Sequence, residues 1–144
     1  MVVHLVHHSD AVGPDVDSQR PLSTRGVLQA ESLASKIQAT GAKPHAIWHS
    51  GKLRSRQTAE TCWRVCNPFA EFKLVKGLRP EDSTIWVVDL LSMETEDVLL
   101  VSHMPLLPAL LLSLVGSTAF PLNGVVAVER KEAGSYVERW RAEP

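Results

Sequence analysis

Short apolar runs bounded by turn residues alternate along this chain with longer stretches whose apolar positions recur at helical spacing. Val2 to His7 reads as a buried strand. A polar loop with Gly13, Pro14 and Pro21 follows, over Ser9 to Pro21. Ser23 or Thr24 caps a helix with Val27, Ala30, Ala34 and Ile37 on its inner face, and Gly41 ends that region. Ala46 to His49 is a second strand. Leu53 to Cys66 is a helix that buries Ala59, Cys62, Trp63 and Cys66. Phe72 to Val75 is a strand, and Ser83 caps a helix running to Leu91. Asp97 to Ser102 is a strongly apolar strand. A helix follows from Pro105 to Gly116, with Pro108 tolerable only in its first turn. Val125 to Arg130 and Tyr136 to Arg141 form a closing hairpin around Glu132-Ala133-Gly134.

Strands alternating with helices predict an α/β fold. The expected form is a three-layer α/β/α sandwich with a mainly parallel central sheet and an antiparallel C-terminal edge hairpin. No linker or repeat divides the chain, so residues 1–144 read as a single domain. In such sheets ligands bind at the carboxyl ends of the strands. His8 follows the first strand, Arg54 opens the helix after the second, and His103 follows the fourth. Three groups distant in sequence are thereby expected at one edge.

Composition narrows the function classes. The chain has 144 residues, 44% of them apolar and 22% charged, enough for a full core. A net charge of −1 gives no global field for nucleic acid, so an anion site has to be local. The longest apolar run, Leu106 to Val115, is too short to span a bilayer, and no membrane partner is expected. The N-terminus carries no secretory pattern. Cys62 and Cys66 share a helix face and read as buried structural thiols, which fits a cytoplasmic setting. No metal is expected. His4 and His8 stand roughly 13 Å apart along a strand, too far to share an ion.

The three converging groups suit phosphoryl transfer through a phosphohistidine. A neutral imidazole is a competent nucleophile near pH 7, and covalent capture splits transfer to water into two easier steps. An arginine at a helix start is mismatched to the dipole until an anion binds there, and arginine grips phosphate in a bidentate fashion. A cation or donor at His103 would stabilise charge on the transferring oxygens.

At these residues the chain resembles the histidine phosphatase, or phosphoglycerate mutase-like, superfamily, and more narrowly its small bacterial phosphohistidine phosphatase branch of SixA type. His7-His8-Ser9-Asp10-Ala11 corresponds to the family's Arg-His-Gly-Glu/Asp-Ala. Arg20-Pro21-Leu22-Ser23-Thr24-Arg25-Gly26 corresponds to its Arg-Pro-Leu-Thr-x-x-Gly. The run Ser50-Gly51-Lys52-Leu53-Arg54-Ser55-Arg56-Gln57-Thr58-Ala59-Glu60 corresponds to its Ser-Pro-x-x-Arg-x-x-Gln-Thr-Ala-Glu, and Ser102-His103-Met104-Pro105 to its Ser-His-x-Pro. The resemblance implies His8 as nucleophile, with Arg54 and His103 holding the phosphoryl oxygens. Three positions depart from the pattern: His7 stands for arginine, Ser9 for glycine and Gly51 for proline.

His7 and Arg20 are further candidate phosphate contacts, and Glu81 and Asp82 are candidate general acids before the third helix. No cofactor is implied. The expected partner is a phosphohistidine-bearing protein or a small phosphorylated substrate. The His7 departure leaves a weakened or binding-only relative as one alternative, and a small-molecule phosphomonoesterase as another. Because an unperturbed histidine titrates near pH 6.5, His7 is also expected to make phosphate binding better under mildly acidic conditions than at pH 8.

Overall fold

The computed structural model describes all 144 residues. Its elements, in order, are β1 (Val2–His7), α1 (Thr24–Ala39), β2 (Ala46–His49), α2 (Leu53–Cys66), β3 (Glu71–Leu74), α3 (Thr84–Ser92), β4 (Val98–Ser102), α4 (Leu106–Val115), β5 (Val125–Arg130) and β6 (Tyr136–Ala142). The strands form one sheet in the order β3-β2-β4-β1-β5-β6. β1, β2, β3 and β4 run parallel, and β5 and β6 continue the sheet antiparallel. β1, β2 and β4 are buried along nearly their whole length, so they read as continuous apolar runs.

The sheet separates two apolar clusters. Leu5, Trp48 and Leu100 pack with Leu91 of α3 and with Leu107 and Leu110 of α4. Val6, Ile47 and Leu99 pack on the other side with Leu33 and Ile37 of α1 and with Ala59 and Cys62 of α2. This is the expected three-layer arrangement, with the antiparallel hairpin at the edge. Both cysteines are free and buried. No helix is long and apolar enough to cross a membrane.

Two details correct the sequence reading. β3 and β4 each differ by a residue at their ends from the expected Phe72–Val75 and Asp97–Ser102. In α1, Val27 is half exposed, and the buried face is Gly26, Ala30, Leu33, Ala34 and Ile37. The reason lies at the helix start. Ser23 caps α1, its hydroxyl accepting from the Gly26 N–H, and donates to the Asp10 carboxylate at 2.6 Å. Gly26 therefore rests on the backbone of Asp10, where an added Cβ would stand 1.9 Å from the carbonyl oxygen. That contact rotates Val27 outward.

The same contact fixes the loop that follows β1. Gly26→Ala has no flexible side chain to displace, only backbone. We expect a loss of about 3 kcal/mol, the upper end for overpacking, read from the urea midpoint. A shift worth less than about 1 kcal/mol would contradict this close approach.

Candidate active site

The register places three chain reversals side by side. His7 pairs with Ser102 and His49 with Val101, so β1, β4 and β2 end at one level. His8, His103 and Ser50 are the residues that leave those adjacent strands. The start of α2 is pinned beneath them. Ser55 Oγ donates to Val101 O at 2.8 Å and accepts from Ser50 N. Thr58 Oγ1 donates to Arg54 O and accepts from Ser9 N at 3.0 Å. Two hydroxyls one turn apart thus tie α2 to the β4 end and to the loop after β1. Arg54 precedes the first of them, and its carbonyl accepts from the second.

His8 is held in one tautomer. Its Nδ1 lies 2.8 Å from Ser9 O, and a carbonyl only accepts, so Nδ1 carries the proton and Nε2 keeps its lone pair. Burial pushes the His8 pKa down to about 4, against the Ser9 carbonyl and with help from the Arg54 and Arg20 charges. The ring is neutral throughout the physiological range.

His103 faces His8 with ring centroids 5.0 Å apart. Its Nε2 lies 2.7 Å from Ser50 Oγ. That hydroxyl also accepts from the Lys52 N–H. His103 Nδ1 is buried without a partner. Burial first, then the positive groups around it, lower the His103 pKa to about 2. His103 is accordingly neutral in the free protein, which removes the cationic half of its expected role.

His7 is also brought in, with its ring 4.5 Å from that of His8. The backbone N–H of Asn123 donates to His7 Nδ1 at 2.8 Å. An imidazole that accepts there carries its proton on Nε2, and protonation of Nδ1 would break the bond. Burial, followed by the charges of His8 and Arg54, lowers the His7 pKa to about 3. The expected charging of His7 in mild acid is therefore overturned: it is a neutral Nε2–H donor from pH 5 upward.

Asn123 was not singled out by the sequence. It takes a left-handed backbone (φ 54°), and its side-chain amide donates to His8 O at 2.8 Å. One residue thereby anchors both histidines. Its only sequence signal is the Asn-Gly pair that precedes β5.

Arg54 is partly buried, and its Nε has no partner within the protein. Arg20, another left-handed residue (φ 52°), donates its Nε to Val12 O at 3.0 Å. Its charge reaches both His8 and Arg54, lowering their pKa values after the larger effect of burial on each. Gly51 has φ 91°, which a proline cannot adopt, so this turn differs from the Ser-Pro pattern for a backbone reason. Ser9 leaves a buried, unpaired Oγ at the same place.

Glu81 and Asp82 sit on the rim. They line a hollow of about 400 Å³ with Arg54, Lys52 and Arg79. Asp82 accepts from the Arg79 N–H at 2.9 Å, and Glu81 is exposed. The largest cavity, about 660 Å³, lies elsewhere, between α1 and α2, lined by Leu22, Val27, Trp63 and Phe72. It contains none of the three histidines.

The arrangement has one chemical character. A neutral nucleophilic nitrogen is faced by two guanidinium groups, with Asp10 the one acid close enough to affect it. Unpaired buried groups remain on Arg54, His103 and Ser9. A tetrahedral oxyanion has acceptors for the donors among them.

Comparison with known proteins agrees with this reading. No protein-family model matches the chain. Phosphohistidine phosphatase SixA of Escherichia coli K12 is 27% identical, over all of this chain and 94% of its own length. The structure of the protein histidine phosphatase SixA complexed with tungstate superposes with a TM-score of 0.90 at 26% identity, over all of this chain and 97% of that one. A phosphoglycerate mutase from Plasmodium falciparum shares the fold, with a TM-score of 0.69 at 18% identity, over 96% of this chain and 88% of that one. Four ordered motifs, a matching fold and an oxyanion-shaped constellation converge: over its whole length the chain is similar to SixA-type proteins of the histidine phosphatase, or phosphoglycerate mutase-like, superfamily.

Proposed function

We propose that this protein is a phosphatase acting through a covalent phosphohistidine on His8, with phosphohistidine in proteins as substrate. The observation that carries the reading is the His8 tautomer. Ser9 O takes the Nδ1 proton and leaves the Nε2 lone pair free beside Arg54 and His103. In the first step His8 Nε2 attacks phosphorus. The substrate P–N bond breaks, and its electron pair stays on the leaving imidazole nitrogen, which takes a proton. In the second step water attacks the phosphoryl group, the bond to His8 breaks, and phosphate leaves with the neutral imidazole restored. Arg54, His103 and the Nε2–H of His7 spread the charge on the transferring oxygens. Arg20 adds a second fixed charge.

The leaving group explains why no buried acid is needed. An imidazole is protonated readily near neutral pH, whereas an alkoxide needs a matched acid. Glu81 and Asp82, on the solvated rim, suit the first case. The relatives named SixA support the same substrate class. The test is incubation with radiolabelled phosphoramidate. An acid-labile, base-stable adduct should form on a peptide containing His8 and be absent in His8→Ala. Equal labelling of the two proteins would remove His8 from this role.

His7→Arg separates a neutral donor from a titrating one. Because His7 stays neutral from pH 5 to 8, an arginine that seats in its place adds a full charge at every pH in that range. Charged hydrogen bonds are worth about 1.5–3 kcal/mol, or roughly ten- to a hundredfold in kcat/KM. The variant also loses the acceptor for Asn123 N. We expect the ratio of variant to native kcat/KM, measured on phosphoramidate, to be level from pH 5.5 to 8. A ratio that climbs with pH would mean that His7 charges in the native protein.

A further inference from the structure

An imidazole is a short side chain, so a protein that delivers phosphohistidine to His8 brings its own backbone down to the rim. The rim is polar along the loop after β1, which carries Asp10, Asp15, Asp17 and Arg20, and basic at the start of α2. It turns apolar at the end of β3 and the start of α3, where Leu74, Ile85 and Trp86 are 55%, 64% and 56% exposed. A hollow of about 540 Å³ there runs from Ser50, the partner of His103, to Trp86, with Lys76 and Arg79 on its walls. It shares Arg79 and Asp82 with the hollow that reaches Arg54, so the two open onto one another beside the candidate site. Trp86 is seated: its Cβ packs against Gly77, where an added Cβ would lie 3.1 Å away. Asp82 is turned toward the Arg79 N–H, and the lining sets two basic side chains, Lys76 and Arg79, against this one acid.

We infer that this wall, Leu74, Lys76, Arg79 and Trp86, is the docking surface for the segment that flanks the phosphohistidine in a partner protein, and that this segment carries an apolar side chain and carboxylates. The inference rests on the proposed phosphatase reading. Three features single out the occupant. The surface is continuous with the place where the partner's phosphoryl group would sit. Its charge complements acidic flanks. A seated tryptophan with a basic border is the composition of an interface anchor. The larger hollow between α1 and α2 has none of this continuity with the histidines.

The test uses two phosphohistidine peptides, one flanked by leucine and glutamates and one by glycine and lysines, with phosphoramidate as the minimal substrate. The native protein should prefer the acidic, apolar peptide by at least about tenfold in kcat/KM, the scale of one interface anchor. Trp86→Ala and, separately, the exposed charge reversal Lys76→Glu should each remove most of that preference and leave kcat/KM for phosphoramidate unchanged. Binding of both peptides to His8→Ala protein, followed by tryptophan fluorescence, reads the same preference without turnover. No preference in the native protein, or a preference that survives both variants, overturns the docking surface. So does an equal loss on peptide and phosphoramidate, which marks damage to the fold. If no substrate is turned over, the phosphatase reading fails, and the binding preference still decides the surface.

Discussion

Arg54→Ala should lower kcat/KM on phosphoramidate by about a thousandfold. Removing one preorganised donor to a transition-state oxyanion costs about 10²–10³, and an arginine on a transferring phosphoryl group about 10³–10⁵. Arg54 stands at the lower end of the second range because Arg20 remains nearby. Arg54→Lys should recover little. The unpaired Nε of Arg54 is buried, and lysine offers a point charge without the fork. A second readout separates a phosphate ligand from a structural role. The Arg54 charge helps to hold His7, His8 and His103 neutral. Its removal should raise all three pKa values and move the acid limb of kcat/KM upward, after correction for substrate ionisation. A variant that keeps more than a tenth of native kcat/KM, with an unmoved acid limb, would show that Arg54 does not hold the phosphoryl group.

Acid should unfold this protein early, and phosphate should protect it. His4, His7 and His103 are buried, and burial is the main cause that lowers their pKa values from 6.5 to about 4, 3 and 2. A group depressed in the folded state contributes stability that is complete above its unfolded pKa. That contribution is lost as pH falls from 6.5 toward the folded values. One unit below 6.5, each such histidine costs about 1.4 kcal/mol, and the three together cost about 4 kcal/mol, to which His8, also lowered to about 4, adds a similar share. This is a large share of the stability of an ordinary domain. Between pH 7.5 and 5.5 the melting temperature should fall by about 10 °C. An anion that binds the folded site and not the unfolded chain stabilises by mass action, so phosphate should raise the melting temperature at both pH values. His4 packs against Trp140, away from the site. A melting temperature flat over these two units would mean that these rings take protons in the folded state.

The parallel sheet was legible because β1, β2 and β4 are buried on both faces and leave uninterrupted apolar runs. Placing His8, Arg54 and His103 at one edge followed from that topology. What escaped the sequence was contact between distant backbone and side chains. Val27 fits the helical period as well as Leu33 does, and only the seat of Gly26 on Asp10 decides between them. The state of His7 is set by an N–H 116 residues away. A histidine in place of an arginine reads as a lost charge that acid would restore, until that donor is seen to occupy its nitrogen. Ser50 and Thr58 lay within recognised motifs, yet their hydrogen bonds to His103 and Ser9 depend on which strands are neighbours.

The insertion of β4 between β1 and β2 has a consequence for how the chain acquires its site. The bonds that assemble the site join residues separated by 49, 53, 115 and 116 positions. Local segments cannot build it in advance. β1 and β2 must hold apart a slot that a strand synthesised some fifty residues later enters, and Asn123 follows still later. Pairings of this range are slow because loop closure precedes the contacts that reward it. A nascent chain ending before β4 lacks His103, and one ending before Asn123 leaves His7 free to adopt either tautomer. The capacity to hold phosphate is thus a late and nearly all-or-none event in folding. It makes the anion a natural reporter of the completed sheet, one that discriminates finished molecules from compact intermediates that already contain the helices.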